Sequence, residues 1–377
     1  MAFEYYIRSG QRKLRCGYTT GTCAALAAAG AARLLLTGEA PERMCLMTPK
    51  GVLVEVELQS CAMVGDTAQC AVVKDGGDDA DVTHGHLIFA SVARTASGIT
   101  IDGGVGVGRV TRPGLDQPVG AAAINHVPRQ MIAAAVGEIC GEIGYGGGLS
   151  VVISVPDGEE LARRTFNPML GIEGGISILG TSGIVEPMSE QAIVDTIAVE
   201  EHQAAVSGAR HLLMTPGNYG VDFLRESGLD VQGVPCVKCS NFVGEALDIA
   251  VVEGFQSVLL VGHIGKLVKL AGGVMNTHSK WADCRTELFC AHTAVCGGGT
   301  ALCRRLIKAA TTDACIAELD AAGLREPVMR SLLAAIQSHL EYRAADAFTI
   351  GAIVFSNEYG LLGKTETVEE IMEQWKN

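Results

Sequence analysis

Residues 257–273 read SVLLVGHIGKLVKLAGG. An apolar run breaks at Gly262, turns through His263 and Gly265, and restarts at Lys266 with apolar residues at helical spacing. The pattern is a strand, a tight turn and a helix. The same grammar recurs on both sides of it. ISILG (176–180) leads through TSGIVE and Pro187 into SEQAIVDTIAVEEHQAAVS, closed by Gly208. HLLMT (211–215) leads through PGNYG into a helix from about Val221, and VPCVKC (234–239) leads through SNFVG into EALDIAVVEG. FTIGAIVFS (348–356) follows a long helix around Pro327–Arg343. Five apolar runs alternating with helices predict a Rossmann-like parallel α/β domain. Its strands read as continuous hydrophobics because both faces are covered. Ligands of such sheets bind beyond the carboxyl ends of the strands, so TSGIVE, TPGNYG, SNFVG and HIGK are expected to wall one cleft facing the other domain.

The first half reads differently. Thr22–Leu36 is an alanine-rich helix, and CLMTP, VLVEVELQ, QCAVVKD, HLIFASVAR and GITID are short runs, several alternating with period two. They predict an N-terminal α+β domain on a mixed sheet. The expected division is residues 1–165 and 166–377, within a two-domain α/β chain.

Composition narrows the class. With 377 residues, 48% hydrophobic and 19% charged, the chain can bury large cores. A net charge of −13 argues against nucleic acid, whose phosphates need a basic surface, but allows an anionic small molecule in a locally basic pocket. The first residues lack an apolar signal core, and no run of 18 apolar residues follows, so a cytoplasmic protein with no membrane partner is expected. Its thirteen cysteines are expected as reduced thiols. Nothing in the sequence sets an oligomeric state.

Several clusters carry chemistry or a plain structural alternative. His263, Lys266 and Lys269 share one helical face, either an anion site at a helix start or a solvated basic face. KDGGDDADVTHGH (74–86) offers oxygen ligands but lacks the glutamate of a calcium loop. It is an exposed turn or a pair of acid–base carboxylates. In GYTTGTCAALAAAG (17–30), Thr19 or Thr20 caps a helix whose free N–H groups suit a carboxylate. DGGVGVGRVTRPG (102–114) is no dinucleotide loop, because strand and turn rather than helix follow it, and no P-loop motif occurs. Cys236 and Cys239 form a lone CxxC without a second pair. Cys284, Cys290, Cys296 and Cys303 read as small buried hydrophobes. His278 and Asp283 form an acid–base pair or a capped helix end.

The strings GYTTGTCAALAA, KDGGDDADVTHG, AINHVPRQMI, TFNPMLGIEGGISILGTSGIVEPMSE, PGNYG, KCSNFVGEALD and LLVGHIGKLVKLAGGVMNTHS closely resemble the CbiD family, in order from Cys16 to about Asp283. Gly76 stands where alanine is usual and His126 where proline is common, and Cys236 and Cys239 fall outside the pattern. The resemblance implies transfer of a methyl group from S-adenosylmethionine to carbon 1 of cobalt-precorrin-5B, giving cobalt-precorrin-6A of anaerobic cobalamin biosynthesis. Cobalt would enter only as part of the corrinoid substrate, with no resident metal. The alternatives are a non-catalytic corrinoid-binding or cobalt-delivery protein and, against the missing P-loop, a small-molecule kinase.

A flat macrocycle rimmed by carboxylates needs a broad cleft and basic anchors. Lys266, Lys269, Arg163, Arg164, Thr19, Thr20 and Thr22 are the expected substrate contacts. Methyl transfer from a sulfonium is an in-line displacement, for which orientation supplies about 7–11 kcal/mol in favourable intramolecular cases. The nucleophile is a ring carbon, so the protein supplies at most a base, from Asp75, His263 or His278. The expected cofactor contacts are Thr181, Ser182, Gly183 and Glu186 in the 180–186 turn, with Asn218 and Tyr219.

Overall fold

A computed structural model describes residues 3–228, 231 and 233–376. The chain forms two compact units, residues 1–189 and 190–377.

In the first unit, helix Thr20–Thr37 is the core. Thr19 caps its start and Gly38, at φ 81°, ends it in the left-handed conformation. Alanines 24, 25, 27, 28, 31 and 32 are fully buried, and their small side chains bring helix His126–Ile143 and the sheet close to its backbone. By length and composition this helix could cross a membrane, yet 83% of it is buried inside the protein. The five-stranded sheet runs Gln59–Val64, Thr67–Val73, Leu87–Thr95, Gly148–Ser154, Ile99–Gly103. Its pairs are antiparallel except the last, which is parallel. In Leu87–Thr95 the inward Ile88, Ala90 and Val92 alternate with half-buried neighbours, as the period-two pattern requires.

Residues 166–189, expected in the second domain, belong to this unit. Gly175–Ile176 pairs in parallel with Gly106–Val107, and Ile184–Val185 pairs antiparallel with Gly17–Tyr18. ISILG is therefore not a strand of the parallel sheet. Its apolar run reports burial, of Ile176 and Ile178, but not the partner that buries it. The glycines of DGGVGVG serve backbone contact. A Cβ on Gly106 would lie 1.8 Å from the Val155 carbonyl, and Cβ atoms on Gly158 and Gly175 would lie 2.0 and 2.1 Å from that of Gly106.

The second unit holds a five-stranded sheet in the order Cys236–Lys238, His211–Thr215, Ser257–His263, Thr349–Ser356, Gly360–Lys364. The first four strands are parallel and the last is antiparallel. Leu212, Met214, Val258, Leu260, Ala352 and Val354 face a core shared with helices Val243–Glu253 and Arg325–Ala344. Leu213, Leu259, Val261, Ile353 and Phe355 face Leu224, Val368 and Ile371 on the other side. The helix expected from Lys266 is a single turn, Ile264–Leu267, continued as 3₁₀ over Val268–Gly272. From His211–Thr215 the chain moves to one edge of the sheet and then crosses to the opposite side, so the strand order reverses between His211–Thr215 and Ser257–His263.

Candidate functional site

That reversal leaves the carboxyl ends of the two central strands beside each other, where open parallel sheets take ligands. The strand His211–Thr215 ends through Pro216 and Gly217 in helix Asn218–Ser227, whose start has no side-chain cap. Asn218 and Tyr219 open this helix, and Tyr219 is 67% exposed. Lys266 reaches the same place from the next turn. Its ammonium donates to the carbonyls of Pro216 at 3.1 Å and Ser240 at 3.4 Å, tying together the turns after two strands. Burial pulls its pKa down, and it has no carboxylate partner among the described residues. A half-buried cation held only by carbonyl dipoles has the chemistry to pair with an anion.

His263 ends the central strand and caps the turn, its Nδ1 accepting the Gly265 N–H at 3.0 Å. Burial lowers its pKa against the opposing field of Asp313, which favours the neutral ring, and because Nδ1 accepts, that neutral form carries its proton on Nε2. Its edge meets Phe355, which stacks on Phe223. Asp313 escaped sequence reasoning. It lies in the first turn of helix Thr312–Ala321 and accepts the Ser356 hydroxyl at 2.6 Å. Only the sheet brings it near His263, and the one local signal was Thr311, a helix-capping residue.

The remaining expected residues divide by what holds them. Lys269 is 1% exposed and is not a ligand anchor. Its three donors are used on Thr277 O, Ser279 Oγ and Ala282 O, because the 3₁₀ turn aims it into the loop that follows. His278 sits exposed in that loop, its Nδ1 accepting the Lys280 N–H, and Asp283 pairs with Arg285 rather than with it. Cys239 is fully buried and its thiol is pushed up to about 12 by burial, with Cys236 also raised. Thiols held protonated are poor metal ligands and nucleophiles. Cys284, Cys290, Cys296 and Cys303 are half-buried rather than buried.

The other expected residues lie in the first unit, so the four turns do not belong to one sheet. Thr19, Thr20 and Thr22 are buried, and their groups are taken by the 177–183 loop. Thr22 Oγ1 donates to Gly183 O at 2.7 Å, Thr20 Oγ1 accepts from Leu179 N, and the Thr19 and Gly21 N–H groups meet Gly183 O and Leu179 O. Ser182 bonds within its own turn, Gly183 packs on Thr48 and Thr22, and Glu186 pairs with Lys50. Thr181 is exposed. Asp75 is unsuited as a base. Burial would raise its pKa, but paired bonds from Arg15 at 2.5 and 2.9 Å and one from the Gly77 N–H hold it below the usual carboxylate range. Arg163 and Arg164 are exposed beyond helix Gly158–Ala162.

These features define an α/β protein with a half-buried lysine, free of a carboxylate partner among the described residues, at the reversal point of a parallel sheet. Residues 7–187 match the CbiD family model and residues 276–366 match that of the CbiD C-terminal domain. The curated Cobalt-precorrin-5B C(1)-methyltransferase of Ruminiclostridium cellulolyticum is 47% identical over 355 residues, 94% of this chain and 92% of that one. The proteins of the same name from Moorella thermoacetica and Salmonella typhimurium are 42% and 40% identical, over 97% and 99% of this chain and 98% of each relative. A crystal structure of cobalamin biosynthesis protein (cbiD) from Archaeoglobus fulgidus matches at 30% identity and a TM-score of 0.40, covering 74% of this chain and 86% of that one. The chain belongs to the CbiD family.

Proposed function

We propose that this protein transfers a methyl group from S-adenosylmethionine to carbon 1 of cobalt-precorrin-5B. The observation that carries the reading is near-full-length identity of 40–47% to relatives named for that reaction. Lys266 adds chemical support. Methyl donor and corrin both present carboxylates, and an unpaired cation at a strand-end crevice suits either. We assign the donor to the second unit, read as Rossmann-like, with its carboxylate against Lys266 and the uncapped start of helix Asn218–Ser227. The exposed ring of Tyr219 offers an apolar face to the adenine. No acidic residue stands at the end of strand His211–Thr215, which runs into Pro216, Gly217 and Asn218, so the donor would be held differently from the common dinucleotide arrangement.

When bound, the sulfonium supplies the electrophilic methyl. The protein's part is to hold the ring carbon in line with it, a matter of position rather than of an enzyme nucleophile. His263 offers its Nε2–H as a donor that can orient a bound reactant, since its other ring nitrogen already accepts the Gly265 N–H. The decisive experiment is calorimetry with S-adenosylhomocysteine on wild type and Lys266→Ala, together with mass analysis of cobalt-precorrin-5B turnover. Saturable binding weakened at least tenfold in the variant, and a product one methyl heavier, are expected. A wild type that binds corrinoid but neither binds S-adenosylhomocysteine nor methylates would be a binding protein instead.

A further inference from the structure

The first unit carries a surface that the strand-end site does not explain. Helix Gly158–Ala162 ends in Arg163 and Arg164, and residues 166–170 make a further helical turn in which Met169 N and Leu170 N bond to Phe166 O at 3.0 and 3.1 Å. Phe166 and Met169, three residues apart, share one side of that turn. They are 58% and 62% exposed. This is not a loose loop. Asn167 is buried beneath it, its amide joined to Gly175 O and the Ser177 hydroxyl, and Thr165 Oγ1 donates to Ala162 O. The stem of Arg112 lies against Gly171, where a Cβ would come within 2.6 Å of it, and its guanidinium donates to Met169 O. Arg112 thus lies at the turn, and the exposed Arg163 and Arg164 precede Phe166 by three and two residues. Arg163 faces Glu159 at 3.8 Å with both groups well exposed, a weak pair, and Arg164 pairs with no acidic group among the described residues.

A buried scaffold that holds a phenyl ring and a thioether out in water costs stability that a ligand recovers. Apolar centre and guanidinium rim match a flat ring with carboxylates at its edge. We infer that the Phe166–Met169 turn, with Arg112, Arg163 and Arg164, is the platform for the face and carboxylate rim of the corrin. The inference rests on the corrin-substrate reading and adds the surface that receives it. In a chain of net charge −13, such local cations are what an anionic macrocycle would find.

The test uses the full chain and two probes: dicyanocobyrinic acid, whose rim carboxylates are free, and dicyanocobinamide, whose rim is amidated. Both are titrated by tryptophan fluorescence with and without saturating S-adenosylhomocysteine. The double variant Phe166→Ser/Met169→Ser should weaken both probes at least tenfold. Arg163→Gln/Arg164→Gln should weaken the acid at least tenfold and the amide less than twofold. All changes lie on exposed side chains, so melting temperatures should match wild type. Wild-type affinity for the acid in both double variants, or no corrinoid binding by wild type under either condition, overturns the platform. Calorimetry of S-adenosylhomocysteine on the same variants separates the two readings. Retained corrinoid binding without donor binding sinks the methyltransferase and leaves the platform standing, whereas retained donor binding with indifferent variants does the reverse.

Discussion

Glu201 is fully buried in helix Glu190–Val206, and neither carboxyl oxygen has a hydrogen-bond partner among the described residues. Burial, with Glu253 and Glu200 nearby, pushes its pKa from 4.5 to about 9, so at pH 7 it carries a proton. The unfolded chain releases that proton near 4.5. Stability is therefore intact below that value and falls as pH climbs toward 9, because the folded state binds the extra proton. Glu201→Gln should flatten the urea midpoint between pH 6 and 9, and an unchanged pH slope would show that another group governs it. Lys269 is the opposite case, a buried cation with every donor satisfied. Lys269→Met leaves two carbonyls and a hydroxyl without a partner and should cost about 2–4 kcal/mol in denaturant unfolding. A loss under about 0.5 kcal/mol would mean that water replaces the ammonium. Glu201 drew no notice within SEQAIVDTIAVEEHQAAVS, and Lys269 read as a substrate contact on a basic helical face. A residue's neighbours along the chain do not reveal that packing has removed its water.

Among the elements, helix Thr20–Thr37 and the central strand Ser257–His263 were readable because each is long and keeps one pattern throughout. The helix after His263 was read too long, since apolar spacing of three and four fits an α-turn and a 3₁₀ turn alike. The two-residue pairings of Gly106–Val107 with Gly175–Ile176 were not readable at all. They depend on three glycine backbones meeting from distant positions. Gly106 also has φ of 72°, so a side chain there is both strained and obstructed. Gly106→Ala should destabilise the first unit by about 3 kcal/mol or more, read as a lower urea midpoint or loss of soluble protein. A variant within about 0.5 kcal/mol of wild type would refute the close crossing.

For the whole molecule, each hydrophobic core draws its residues from one unit alone. Residues 1–189 and 190–377, produced separately, should therefore each unfold cooperatively in heat, as followed by circular dichroism. A cut at 165 should spoil the first fragment, because it removes Ile176, Ile178 and Ile184 from its core. Equal cooperativity from 1–165 would contradict that assignment. The sequence by itself determined the mixed sheet of the first half, the parallel strands from His211 onward, the lack of a P-loop and, through long ordered strings, the family. Those are properties of local pattern and residue identity. The tertiary structure decided that residues 166–189 close the first unit, that the Thr19–Thr22 hydroxyls bond to a loop of the chain, and that Lys269 is buried with three partners where Lys266 is half-buried with two. Periodicity reports that a residue is buried, whereas its partner is chosen by backbone hydrogen bonds and packing across long stretches of chain. Two lysines three residues apart therefore read alike until the carbonyls around each are in place.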